Sequence, residues 1–317
     1  MKLPFVKGEL FPVRDGYGKA LLALGESNPK IVVLDADLAA STRSNWFADR
    51  YPERFIDVGI AEQNMTGVAA GLSLSGKIPF VTTYGAFVTG RAFDQIRNTV
   101  SYSNLNVKIV GSHGGLSVGP DGGSHQAIED IALMNLLPNL KIFCPVDANE
   151  AWQMTLAAAE IEGPVYIRLA REATEIITGE DYQFEAGRAA MLSAGDDGII
   201  IFHSVIGSEV SKAATLLAGQ GLNLSLINFS TIKPLDTSML DYIAASEKPL
   251  FVIEEHLTNG GLTSIIATYF SLRRPIKFHT ISIADCFGES GSPEALYDKF
   301  GFSAKKIANY IIKAMNL

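Results

Sequence analysis

Ile56-Asp57-Val58-Gly59-Ile60-Ala61-Glu62-Gln63-Asn64-Met65 decides how this chain is read. An apolar run ends at Asp57, a glycine turn follows, and a small-residue helix opens beside Glu62. A carboxylate therefore stands where a parallel strand hands over to a helix, the edge at which open α/β sheets keep their ligands. Outward from this stretch the same alternation recurs. Residues 31–35, 80–84, 107–111, 141–146 and 165–169 read as buried parallel strands, with helices over 64–75, 91–101, 128–137 and 149–160 between them. Such alternation requires a parallel sheet covered by helices on both faces. Around residues 178–197 the pattern loosens into a linker carrying one edge element. A second series follows, with strands at 199–202, 224–228, 250–253 and 278–283 and helices beginning at Glu209, Ser238, Leu262 and Pro293. The expected fold is α/β, two consecutive open-sheet domains spanning residues 1–180 and 181–317.

A chain of 317 residues with 47% hydrophobic content can fill two such cores. The formal net charge of −8 argues against nucleic acid as a main partner while leaving room for a local basic pocket. No segment is apolar for long enough to cross a bilayer and the first residues lack a signal-peptide core, so a cytoplasmic protein without membrane contact is expected. Cys144 and Cys286 show no zinc or redox spacing and read as buried small hydrophobes.

Three further features carry chemistry. Thr82-Thr83-Tyr84-Gly85-Ala86-Phe87 places two aromatics at the end of a strand, either as core or as a wall for a flat ligand. The loop from Gly111 to Gln126 holds His113, Asp121 and His125 among glycines that permit close backbone approach to a ligand. Its spacing matches no common zinc pattern, so no metal ligands are assigned. Arg168 and Arg171 close a strand, where a guanidinium can grip a phosphate or pair with Glu172. His203, His256 and His279 lack companions at catalytic spacing and read as core or interface residues. Gly16-Tyr17-Gly18 lacks the third glycine of a dinucleotide fingerprint, which discounts an NAD site.

Residues 59–65 (GIAEQNM), 82–87 with 90–97, and 113–134 resemble the pyrimidine-binding half of transketolases. The likeness continues through Arg168-Leu169-Ala170-Arg171, Thr231-Ile232-Lys233-Pro234 and Glu254-Glu255-His256, covering almost the whole chain. It implies thiamine diphosphate as cofactor. Glu62 would then be the catalytic acid that bonds the pyrimidine nitrogen and favours the tautomer able to take up the thiazolium proton. Phe87 would stack on the pyrimidine with Tyr84 beside it, and Asp37 and Arg91 would face the cofactor. His113 and His125 would act on the sugar, contacting it together with Asp121, and Arg171 would hold its terminal phosphate. Two departures stand out: one extra residue between Phe87 and Arg91, at Gly90, and Pro120 where many relatives carry an acid.

Thiamine diphosphate enzymes anchor the diphosphate through Mg²⁺ held by a Gly-Asp-Gly segment and a downstream asparagine, because hard oxygen ligands neutralise that charge. This chain contains no Gly-Asp-Gly triplet. The resemblance thus implies the second subunit of a split transketolase, acting on sugar phosphates and completed by an N-terminal diphosphate-binding subunit in an α2β2 assembly. The β subunit of a 2-oxoacid dehydrogenase shares this plan and is the alternative enzyme; a non-catalytic scaffold is the alternative of another class.

Overall fold

A computed structural model describes residues 3–316. Its first sheet has seven strands. In chain order they are β2 (Ile31–Asp35), β3 (Phe55–Asp57), β4 (Ile78–Tyr84), β5 (Lys108–Ser112), β6 (Lys141–Phe143), β7 (Val165–Arg168) and β12 (Thr231–Lys233), following the short β1 (Leu10–Pro12). The spatial order is β12-β6-β7-β5-β4-β2-β3, and all pairs are parallel except β12 with β6. β2 and β5 are buried along their whole length, and β2 accordingly reads as a near-continuous apolar run and not as an alternating one. β1 pairs antiparallel with β8 (Ala173–Glu175).

The second sheet is formed by β9 (Ala190–Ser193), β10 (Gly198–Phe202), β11 (Leu224–Asn228), β13 (Leu250–Leu257) and β14 (His279–Ile283), ordered β14-β13-β10-β11-β9. β9 is the edge element expected within the linker, and it runs antiparallel to β11. β12 leaves this half to become an edge of the first sheet, so the two halves are stitched together by a ladder. One apolar cluster accordingly spans both, from Val81, Ile109 and Tyr166 to Ile227, Phe229, Ile232 and Val252. No helix among the described residues is long and apolar enough to cross a membrane.

Gly16 and Gly18 do not precede a helix; they lie inside the helix Val13–Ser27. A Cβ on Gly16 would fall 2.0 Å from the carbonyl oxygen of Ala148, so the glycine lets this helix lie against Ala148–Glu160. The segment expected as a helix over 91–101 is a π-helical stretch, Gln95–Ser101. Cys144 is buried, but Cys286 is exposed in the loop after β14, contrary to expectation. That loop leaves the sheet to cross the histidine loop of the first half, so its Cys side chain has no core to enter.

Candidate functional site

Parallel strands deliver all their carboxyl ends to one edge, and each candidate residue follows such an end. Asp37 follows β2, Glu62 follows β3, Tyr84 ends β4 with Phe87 and Arg91 beyond it, His113 follows β5, and Arg171 follows β7. Register sharpens this placement: Tyr84 pairs with Ser112, and Gly111 with Arg168.

Glu62 opens the helix Glu62–Leu74, where a carboxylate is favoured by the positive end of the helix dipole. Its side chain is only 5% exposed and its Oε1 lies 2.8 Å from Arg91 Nη1. Arg91, 51% exposed, also sits over the Phe87 ring at 4.1 Å from the centroid. The helical turn Gly85–Arg91 thus returns a guanidinium to the carboxylate even with Gly90 present. Tyr84 stacks on Phe87 at 5.6 Å and on the His113 ring at 3.9 Å, and His125 meets Phe87 edge-on at 5.1 Å. Glu62, Arg91, Phe87, Tyr84, His113 and His125 form one continuous chain of contacts.

His113 is buried, with a positive φ of 62°. Burial, with Arg14, Arg171, His125 and Arg43 nearby, pushes its pKa down to about 3, so the ring is neutral. Arg14 Nη1 lies 3.4 Å from Nε2, and arginine can only donate. Nε2 is therefore the acceptor, and the Nδ1 hydrogen goes to Ser112 Oγ at 2.9 Å. His125 Nδ1 lies 2.9 Å from Ser124 Oγ.

Not every candidate is brought in equally. Asp37 is exposed and its backbone N–H donates to Asp57 Oδ1 at 3.2 Å. Asp121 is also exposed, and its side chain has no hydrogen-bond partner among the described residues. Arg171 donates to the Val118 carbonyl at 2.6 Å and lies 3.7 Å from Glu172, so both the loop and the neighbouring acid hold it. Arg168 is not available to a ligand. It is 1% exposed, paired with Asp130 at 3.0 Å, and donates to the carbonyls of Ala127 and Glu255. His203 and His256 are fully buried, as expected of core histidines, but His203 has a carboxylate 3.5 Å away in Glu254.

Two features escaped the sequence. Arg14 stands beside His113 and donates to the Ser41 carbonyl at 2.8 Å, while its buried Nε has no partner among the described residues. The available clue was a cation in the first turn of a helix, where the dipole disfavours it. The second feature is what the loop glycines accommodate. At Gly115, with φ +81°, a Cβ would fall 2.5 Å from the Glu255 carboxylate, and at Gly123 it would fall 2.6 Å from the Gly288 carbonyl oxygen. Close approach here is to the protein's own second half, because the loop from Gly114 to Gln126 is clasped by β13 and by the segment after β14.

The profile of the transketolase pyrimidine-binding domain matches residues 11–176, and that of the transketolase C-terminal domain matches residues 187–307. A 6-deoxy-6-sulfo-D-fructose transketolase subunit, SqwH, of Clostridium sp. (strain MSTE9) is 39% identical over 311 residues, covering 97% of this chain and 96% of that protein. Transketolase-like protein 2 of Mus musculus is 39% identical over 311 residues, covering 96% of this chain but 49% of its own length. A split-gene transketolase solved as an inactive β4 tetramer superposes with a TM-score of 0.89 at 44% identity, over 97% of this chain and 99% of that one.

Proposed function

This chain belongs to the transketolase family, and from that premise we propose that it is the pyrimidine-binding subunit of a split transketolase transferring a two-carbon ketol unit from a ketose phosphate to an aldose acceptor. The observation that carries the reading is the contact chain running from Glu62 through Phe87 and Tyr84 to His113 and His125 along one sheet edge.

Transketolase-family proteins use thiamine diphosphate. The residues present suit its pyrimidine end: the Phe87 ring is a flat aromatic face that would receive the pyrimidine once the Arg91 guanidinium lying 4.1 Å from its centroid moves aside, and Glu62 offers a carboxyl beside it at a helix start. When bound, the cofactor supplies the carbon nucleophile that carries the ketol unit. Glu62 holds a proton on the pyrimidine nitrogen, and Phe87 with Tyr84 keeps the ring in place. His113 and His125 contact sugar hydroxyls, His125 moving their protons, with Asp121 at the mouth of the loop. Arg171 grips the terminal phosphate, and Arg14, whose buried Nε lacks a partner among the described residues, adds a second guanidinium.

Half of the cofactor site is proposed to lie on a complementary subunit. The absence of a Gly-Asp-Gly triplet supports this, as does full-length overlap with the Clostridium subunit against half-length overlap with the mouse relative. The helix Glu62–Leu74 leaves room for close packing, since Gly67 and Gly71 face open space beside Ile60 and Leu74, which are 74% and 76% exposed. A relative's inactive β4 tetramer accords with self-association without turnover. The reading places the Mg²⁺ ligands on the partner, two copies of which complete an α2β2 enzyme.

Reconstitution tests this. The chain alone, with excess thiamine diphosphate and Mg²⁺, is expected to give no ketol transfer in a coupled assay. Addition of the complementary subunit is expected to restore turnover and cofactor binding together. Robust activity from the isolated chain would overturn the split-subunit reading, and turnover of pyruvate with a lipoyl acceptor would replace it with a dehydrogenase.

A further inference from the structure

Strand β13 carries two adjacent buried carboxylates that point to opposite faces, as the two-residue period of a strand requires. Glu254 turns to its own half. It accepts the N–H groups of Leu262 and Thr263 at 2.7 and 2.8 Å and so caps the helix Leu262–Arg273. Glu255 turns to the other half, where its Oε1 accepts the backbone N–H groups of both Leu116 and Ser117. Its Oε2 accepts the Tyr297 hydroxyl at 3.1 Å, and its carbonyl takes an N–H from Arg168.

We infer that Glu255 is a positioning residue: from the second sheet it holds the backbone of the loop between His113 and His125 and so sets both imidazoles against the substrate. This deepens the ketol-transfer reading and rests on it. The base of the loop is tied at three further points. Gly114 N–H donates to the Leu169 carbonyl, Gly115 N–H to the Ala127 carbonyl, and Gln126 reaches the Glu289 carbonyl at 3.0 Å. Gln126 Nε2 also lies 3.4 Å from the Leu116 carbonyl and Arg171 donates to the Val118 carbonyl, but the N–H groups of Leu116 and Ser117 themselves are taken by the Glu255 carboxylate. Gly115 leaves no room for a side chain between that carboxylate and the loop, so a retracted oxygen cannot be replaced by a neighbouring side chain. The C-terminal half thereby sets the Leu116–Ser117 turn through the Glu255 carboxylate, while Gln126 on Glu289 ties only the far end of the loop.

The test compares Glu255→Asp, Glu255→Gln and the control Glu254→Asp. Asp retracts the acceptor by one methylene; Gln keeps an oxygen at the same reach. Hydrogen–deuterium exchange of the loop peptide spanning residues 114–120 is read on the full chain without its partner, and kcat and KM on the reconstituted complex. Glu255→Asp is expected to raise loop exchange at least about tenfold and to lower kcat by up to about 10²-fold, the scale of a 1 Å misplacement, with thiamine diphosphate affinity unchanged. Glu255→Gln should behave as wild type. Glu254→Asp should lower the melting temperature while leaving loop exchange and kcat alone.

Wild-type exchange in Glu255→Asp would overturn the inference, whatever the activity. So would equal impairment of the Gln and Asp variants, since charge and not acceptor position would then matter. A wild-type complex that transfers no ketol unit would instead sink the functional reading, and it is recognised without any variant.

Discussion

The two flanks of the candidate site are built on opposite plans. On the histidine flank the groups beneath the ligand-facing residues are closed within the chain. Arg168 is fully buried on Asp130, Tyr166 donates to the same carboxylate at 2.7 Å, and Glu255 closes the loop from the second half. On the Glu62 flank the carboxylate's ion-pair partner is half exposed, Ile60 is exposed, and Gly67 and Gly71 face open space among the described residues. Under the proposed reading, one flank is finished by folding and the other is left for assembly. A site shared between polypeptides needs this division, because the half that binds first must hold its shape alone while the other half keeps surface free.

Stability measurements can break that contrast most sharply. Asp130→Ala strands a buried guanidinium and should cost about 3–5 kcal/mol. Arg91→Ala removes a half-exposed partner and should cost at most about 1 kcal/mol. Equal losses in chemical denaturation of the full chain would show that the flanks are not differently built.

Catalysis should invert the ranking, since the open flank carries Glu62, the proposed cofactor acid. Glu62→Ala is expected to lower turnover of the reconstituted enzyme by at least about 10²-fold. The circular dichroism spectrum should stay that of wild type. Unchanged turnover at saturating cofactor would remove Glu62 from that role.

The smallest expected effect concerns pH on the closed flank. Burial and the surrounding cations hold His113 near a pKa of about 3, below the ordinary 6.5. The unfolded chain therefore binds a proton here before the folded one does. Stability from this group is present in full above pH 6.5 and is lost as pH falls through that value toward 3. Ring-proton NMR from pH 5 to 8 should show His113 without an inflection; a midpoint inside that range would mean the pocket is wetter than its geometry implies.

Much of this was legible in the chain itself. β2, β5, β10 and β11 are buried on both faces; β2 and β10 are nearly all apolar and β5 and β11 apolar at their centres, and all four were found within a residue or two. The edge carrying Glu62, Tyr84, Phe87 and His113 followed from strand direction alone. Whether Arg168 faces a ligand was left open by the sequence, because its partner Asp130 is 38 residues away and joins it only across the fold. The loop glycines were read as making room for a substrate alone, whereas the residues that require them, Glu255 and Gly288, belong to the other half.

Local sequence determined which segments became strands and helices and which chemical groups stood at their ends, since periodicity and turn chemistry act over a few residues. Only the tertiary structure decided which of those groups met: Arg14 with His113, Arg91 with Glu62, Glu255 with the loop of the first half. Side-chain hydrogen bonds and burial are set by distances of a few ångströms between segments up to 163 residues apart, and no pattern within one segment encodes them.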